Sequence, residues 1–107
     1  MEHLLVITTC PNGACADDIA LHLVENQLAA CVNQLPGVRS VYQWQGKVHA
    51  DQEILLFIKT RADAYARLEE AIRARHPYEL PEVIALPIVQ GSAPYLAWIN
   101  SLVEKTP

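Results

Sequence analysis

The stretch Lys47-Val48-His49-Ala50-Asp51-Gln52-Glu53-Ile54-Leu55-Leu56-Phe57-Ile58-Lys59 decides the fold. It follows a Gln45-Gly46 turn, and the run before that turn, Val38 to Trp44, is rich in β-branched and aromatic residues. Two such runs joined by a tight turn make a long hairpin. Upstream, Ala30-Cys31-Val32-Asn33-Gln34-Leu35 is extended and Pro36-Gly37 interrupts it. Proline and glycine inside a strand mark a bulge, so positions 30 to 44 read as one interrupted strand.

The hairpin is flanked by two strand-and-helix signals. Leu4 to Thr9 reads as a strand that Pro11-Asn12-Gly13 ends, with Asn12 placed to cap a helix. From Ala14 to about Leu28, Ile19, Ala20, Leu23, Val24 and Leu28 recur at helical spacing among polar residues. After the hairpin, Thr60-Arg61-Ala62-Asp63 resembles a capping box. Tyr65, Leu68 and Ile72 mark the buried stripe of a second helix ending before Pro77. Val83 to Val89 reads as a last strand, and Gly91-Ser92-Ala93-Pro94 opens a terminal helix carrying Tyr95, Leu96, Ile99, Leu102 and Val103. The order β-α-β-β-α-β is that of the α+β ferredoxin-like sandwich, here with an extra C-terminal helix.

In this architecture both helices cover one sheet face, so strands should alternate if the other face met water. Ile54 to Ile58 and Leu4 to Ile7 do not alternate, and Val83 to Val89 has no polar break. The second face therefore needs a cover, which in so short a chain comes largely from another subunit. An obligate homo-oligomer is expected.

At 107 residues the chain is a single domain, 1–107, and its 51% apolar content suffices for a core without disulfides. The net charge of −4 argues against nucleic acid as a partner. The first residues lack the basic and long apolar regions of a secretory signal, and no run reaches membrane-spanning length, so no membrane partner is expected. Three sparse cysteines without a C-x-x-C point to reduced thiols and a cytoplasmic protein.

The segment His76-Pro77-Tyr78-Glu79-Leu80-Pro81-Glu82 sets an imidazole, a phenol and carboxylates on a backbone stiffened by two prolines. From spacing alone the plainer reading, in which Pro77 and Pro81 stop the preceding helix and launch the next strand, is favoured. Cys10, Cys15, Cys31, His3, His22, His49 and His76 are the candidate metal ligands, and thiolate with imidazole suits copper or zinc. Cys10 is the best-placed thiol, ahead of a helix N-terminus that lowers a thiol's pKa; Cys31 reads as a buried small hydrophobe. No P-loop, Gly-x-Ser-x-Gly or Gly-x-Gly-x-x-Gly is present, and no enzymatic activity is expected. Tyr42, Trp44, Lys59, Tyr78 and Glu82, near strand ends, suit either a small-ligand cleft between subunits or a plain subunit contact.

Leu28-Ala29-Ala30-Cys31-Val32-Asn33, Ser40 to Lys47, Glu53 with Lys59-Thr60, His76 to Glu82 and Tyr95-Leu96-Ala97-Trp98-Ile99 together resemble the CutA divalent-cation-tolerance proteins, over nearly the whole chain in order. The resemblance implies a ferredoxin-like fold, a homotrimer, a cytoplasmic location in bacteria, and a link to copper and other divalent cations. It also implies kinship with the trimeric PII signal proteins, which bind ligands between subunits; a PII-like sensor for an organic or anionic ligand is the alternative reading. Some members carry a cysteine at the position of Thr8 and a histidine at that of Arg75. Here His76 alone remains of those three, Arg75 adds a charge that opposes a cation, and Cys10, on the same side of the strand as Thr8, is the substitute ligand.

Overall fold

The computed structural model describes residues 2–104. Its elements are β1 (His3–Cys10), α1 (Gly13–Glu25), β2 (Cys31–Trp44), β3 (Lys47–Arg61), a 3-10 turn (Ala62–Ala64), α2 (Tyr65–Arg75), β4 (Val83–Pro87) and α3 (Ala93–Leu102). The strands form one antiparallel sheet in the order β2-β3-β1-β4, the split βαβ arrangement of the ferredoxin-like fold with α3 added. No helix among the described residues is long and apolar enough to cross a membrane.

The turn at Gln45-Gly46 has positive φ at both residues, 49° and 79°. That is the primed geometry whose twist matches a two-residue hairpin. At the other end of β2 the register jumps from Leu35 opposite Leu55 to Val38 opposite Glu53. Three steps on β2 thus match two on β3, so Pro36-Gly37 is a bulge, as its composition predicts. Because side chains alternate with period two, the extra residue exchanges the faces of β2. Beyond the bulge, Val38, Ser40, Tyr42 and Trp44 share a face with Leu35, Leu55 and Glu53.

The helix-covered face carries Val6, Thr8 and Cys10 from β1 and Leu56 and Ile58 from β3, all fully buried. Against them pack Ala16, Ile19 and Leu23 of α1 and Leu68 and Ile72 of α2. The Asn12 carboxamide accepts from the Cys15 amide at 2.9 Å and so caps α1. The helix stops earlier than apolar spacing suggests, at Glu25, because Gln27 turns to φ 58° and carries Leu28 back toward β3.

The start of α2 differs from the capping box expected there. No side chain caps it. Thr60 lies within β3, fully buried, and its hydroxyl donates to the Leu28 carbonyl at 2.7 Å. The strand continues through Arg61, since β1 still offers His3 as its partner, and the chain then turns through Ala62–Ala64. The last strand stops at Pro87, short of Val89, although the Ile88 amide still donates to the His3 carbonyl at 2.9 Å.

On the opposite face lie Leu5 and Ile7 of β1, Leu55 and Phe57 of β3, Leu35 of β2 and Ile84 and Leu86 of β4. Helix α3 crosses one end of this face only. Its Ser92 caps it, accepting from the Tyr95 amide, and Ile99 and Val103 pack on Ala30 and Ala64. Arg61, 1% exposed, holds it down: Nε and Nη2 donate to the Asp63 carboxylate at 2.9 and 3.0 Å, and Nη1 donates to the Asn100 carbonyl at 3.1 Å. The Asn100 carboxamide in turn meets His3 Nε2 at 2.9 Å. The rest of the face stays open, with Ile84 51% and Leu86 46% exposed.

Removing the buried guanidinium takes three hydrogen bonds from the Asp63 carboxylate and the Asn100 carbonyl, and the partial hydration of Asp63 moderates the loss. Arg61→Ala is expected to cost roughly 2 to 3 kcal/mol and to expose the amides of α3 first. Hydrogen exchange reads this directly; unchanged α3 protection would contradict the clamp.

Candidate metal centre and adjoining cavity

The carboxyl end of β1 is where the sheet, the α1 N-terminus and the segment after α2 meet. The His3 carbonyl receives the N–H of Ile88, the residue just after β4, so every second carbonyl along β1, Thr9 included, points to that side. But β4 begins only at Val83, opposite Thr8. His76 fills the gap. Its Nε2–H donates to the Thr9 carbonyl at 2.6 Å, while Nδ1 accepts from the Tyr78 amide at 3.1 Å. A carbonyl can only accept and an amide only donate, so the partners fix the tautomer with the proton on Nε2. The His76 backbone amide also closes α2 on the Ile72 carbonyl, and Pro77 holds residue 76 extended. The helix-stop reading and the site reading thus describe the same residue.

Cys10, Cys15 and His76 bring two thiols and an imidazole together, their ligand atoms all within 4.8 Å of one another. Cys10 arrives from the strand end. Cys15 arrives from the first turn of α1, which the Asn12 cap positions directly behind it. The expectation of a low-pKa thiol at Cys10 is overturned: burial, then the hydrogen bond and charge of Cys15 and the charge of Glu53, push it up to about 12. The helix N-terminus acts on a thiol sealed in the core, where desolvation outweighs it. Two thiols and an imidazole suit a soft or borderline cation such as copper or zinc. The His76 ring can enter such a set only by giving up one of its two present hydrogen bonds.

Sequence reasoning chose Cys10 with His76 and left Cys15 among the other thiols. The signal for it was the capping asparagine, which turns the third residue after it back toward the strand end. Thr8 adds no ligand: it is fully buried one step deeper on the same face, and its Oγ1 has no partner among the described residues. Arg75 does not oppose a cation at the cluster, because Nε and Nη2 grip the Asp18 carboxylate of α1, both at 3.1 Å. That grip holds the Asp18 carboxyl below its ordinary range. Cys31 is half-buried rather than buried, on the face under α3, with Lys59 Nζ at 3.9 Å.

Around the corner from the cluster is a cavity of about 700 Å³. The bulge in β2 turns Tyr42 and Trp44 into it, β3 contributes Glu53, and the segment after α2 contributes Tyr78, Glu79 and Glu82. Tyr78 O–H donates to Glu53 Oε2 at 2.8 Å, and Tyr42 O–H donates to the Asp51 carboxylate. Burial first, then the Glu53 bond, raises the Tyr78 pKa. Four of the five residues expected in a cleft are therefore together. Lys59 is not with them: it sits six positions further along β3, about 20 Å at the strand rise, hydrogen-bonded to Asn33.

A family model described as "CutA1 divalent ion tolerance protein" matches residues 4–102. The chain belongs to the CutA1 family. It is 50% identical over 100 residues to the divalent-cation tolerance protein CutA of Thermus thermophilus, covering 94% of this chain and 96% of that one. It is 54% identical over 97 residues to a CutA homolog of Xenopus laevis, covering 91% of this chain but 64% of that longer protein, and it spans 54% of the mouse relative's length. The crystal structure of CutA1 from Oryza sativa superposes with TM-score 0.96 at 42% identity, covering 99% of this chain and 97% of that one. The CutA1 fold, with its sheet order and terminal helix, is thereby shared by this member.

The Cys10 thiol predicts alkaline sensitivity. Its pKa is about 12 in the fold against an ordinary 9.0, so the fold holds the proton more tightly than the unfolded chain does. Its contribution is complete below pH 9 and is lost as pH rises toward about 12. Tyr78, also shifted upward, acts in the same direction. Urea unfolding across that range should show falling stability, with a shallower decline in Cys10→Ala; an equal decline in both would show that the buried thiol is not responsible.

Proposed function

We propose that this CutA1 family member is a cytoplasmic homotrimer that binds divalent metal ions, copper foremost, through Cys10, Cys15 and His76. It serves metal tolerance by sequestering or sensing the ion and catalyses no reaction. The observation that carries the reading is the convergence of two thiols and an imidazole within 4.8 Å, in a family whose described role is divalent ion tolerance. The three cysteines are free, which suits a reducing compartment.

The protein binds by exchange. A cation takes the place of thiol protons at Cys10 and Cys15, so affinity rises with pH. The ion recovers the cost of stripping a proton from a buried sulfur by neutralising the thiolate within a low-dielectric site. His76 joins by giving up either the Tyr78 amide at Nδ1 or the Thr9 carbonyl at Nε2. Ion binding is thereby linked to the segment after α2, which those two bonds hold in place.

The trimer reading is supported by the open sheet face. Leu35, Ile84 and Leu86 remain exposed beside Leu5, Ile7, Leu55 and Phe57 because α3 covers only one end. A contiguous apolar surface of this kind is an interaction surface.

Titration of the assembled protein with zinc and copper tests the metal centre. Cys15→Ser, at a half-buried position, is expected to weaken binding by about tenfold or more with the fold intact, and His76→Ala to do likewise. Unchanged affinity in folded Cys15→Ser and Cys10→Ser proteins would refute the assignment. For the assembly, sedimentation is expected to give three times the chain mass, and Ile84→Lys to lower it; a soluble wild-type monomer would overturn the reading of the open face.

A further inference from the structure

We infer that the cavity beside the metal cluster is a binding site for a small organic cation, an alkylammonium or guanidinium compound with an apolar body. The proposal goes beyond metal binding and does not depend on it. The cavity of about 700 Å³ has the size of a small-molecule cleft. Three of its lining residues are acidic, Glu53, Glu79 and Glu82, and none is basic. An anion is the worst match to that wall.

Its chemistry also separates organic from inorganic cations. Glu53 is 7% exposed, and the Tyr78 hydroxyl makes its single hydrogen bond among the described residues. Without a cation nearby, that carboxylate is a buried acceptor facing aromatic rings. Tyr42, Trp44 and Tyr78 are each between a third and a half exposed into this space. Tyr42 and Tyr78 direct their hydroxyls to carboxylates; the Tyr42 ring stacks on His49 and the Tyr78 ring packs against His76, which leaves one side of each for the cavity. Ring faces attract cations through their quadrupole, most strongly those that shed water easily. A strongly hydrated magnesium or calcium ion would demand a shell of oxygens that Trp44 and Leu80 interrupt. An alkylammonium group satisfies the carboxylate and the rings together, while its apolar body covers Leu80 and Val41.

Three probes built on one frame test this: benzyltrimethylammonium, benzyl alcohol and benzylsulfonate, titrated into the native assembly while Trp44 fluorescence and heat are recorded. The ammonium probe is expected to bind at least about tenfold more tightly than the alcohol, and the sulfonate to give no saturable signal. Glu53→Gln keeps an acceptor for Tyr78 and should cost the ammonium probe about tenfold. Trp44→Leu should weaken it further, and Cys15→Ser should leave it unchanged. Equal binding of ammonium and alcohol would overturn the inference, as would tighter binding of the sulfonate or indifference to Glu53→Gln. A cavity already filled by a lysine or arginine of a neighbouring copy would admit no probe, and that result overturns it as well.

Discussion

The structure depends on the antiparallel pair of β1 and β3. Eight consecutive residue pairs join them, from His3 with Arg61 to Cys10 with Ile54, at the centre of the sheet. This pair carries apolar side chains on both faces, so both faces gain from being dry. The first face is satisfied within the chain by α1 and α2. The second is satisfied by α3 only where Arg61 anchors it. The open remainder of that face is apolar surface that the chain leaves uncovered, and the polar chemistry is displaced to the carboxyl end of β1, where the ladder with β4 stops.

That end is organised by the mismatch in strand lengths. β1 outlasts β4, leaving the Thr9 carbonyl without a ladder partner, and the His76 ring supplies one. A ring that completes a sheet cannot be placed loosely, so Tyr78 inherits a fixed position from it, beside the thiols that β1 and the capped α1 bring to the same place. The thiol and imidazole cluster and the aromatic cavity are two sides of this junction: thiols on the helix-covered face, carboxylates and rings on the other.

Much of this was legible in the sequence. The apolar run 54 to 58, the Gln45-Gly46 turn and the Pro36-Gly37 interruption report local backbone chemistry, and local chemistry decided those elements. Thr60 was misread as a cap because a hydroxyl before an acid looks the same in a strand end as in a helix start; the pairing of Arg61 with His3 decided otherwise. Cys10 was misjudged because the effect of a helix terminus is visible in sequence and burial is not. Within the chain Lys59 stands apart from the other four residues of the expected intersubunit cleft, because closeness to a strand end does not reveal which end. Arg75 depended on its contact with Asp18, 57 residues away, which no spacing rule announces, whereas Cys15 had a local signal in the capping Asn12.

The bulge at Pro36-Gly37 has an evolutionary side. It adds one residue to β2 against β3, and it lies outside the packed core. Deleting a single codon there would restore regular pairing yet leave Tyr42 opposite His49 and Trp44 opposite Lys47, on the face they already occupy, while Val6, Leu56, Ile58 and their helices kept their neighbours. A lineage could therefore lose or regain the extra residue in one genetic step without turning the aromatic wall around, because the hairpin register beyond it holds that wall in place.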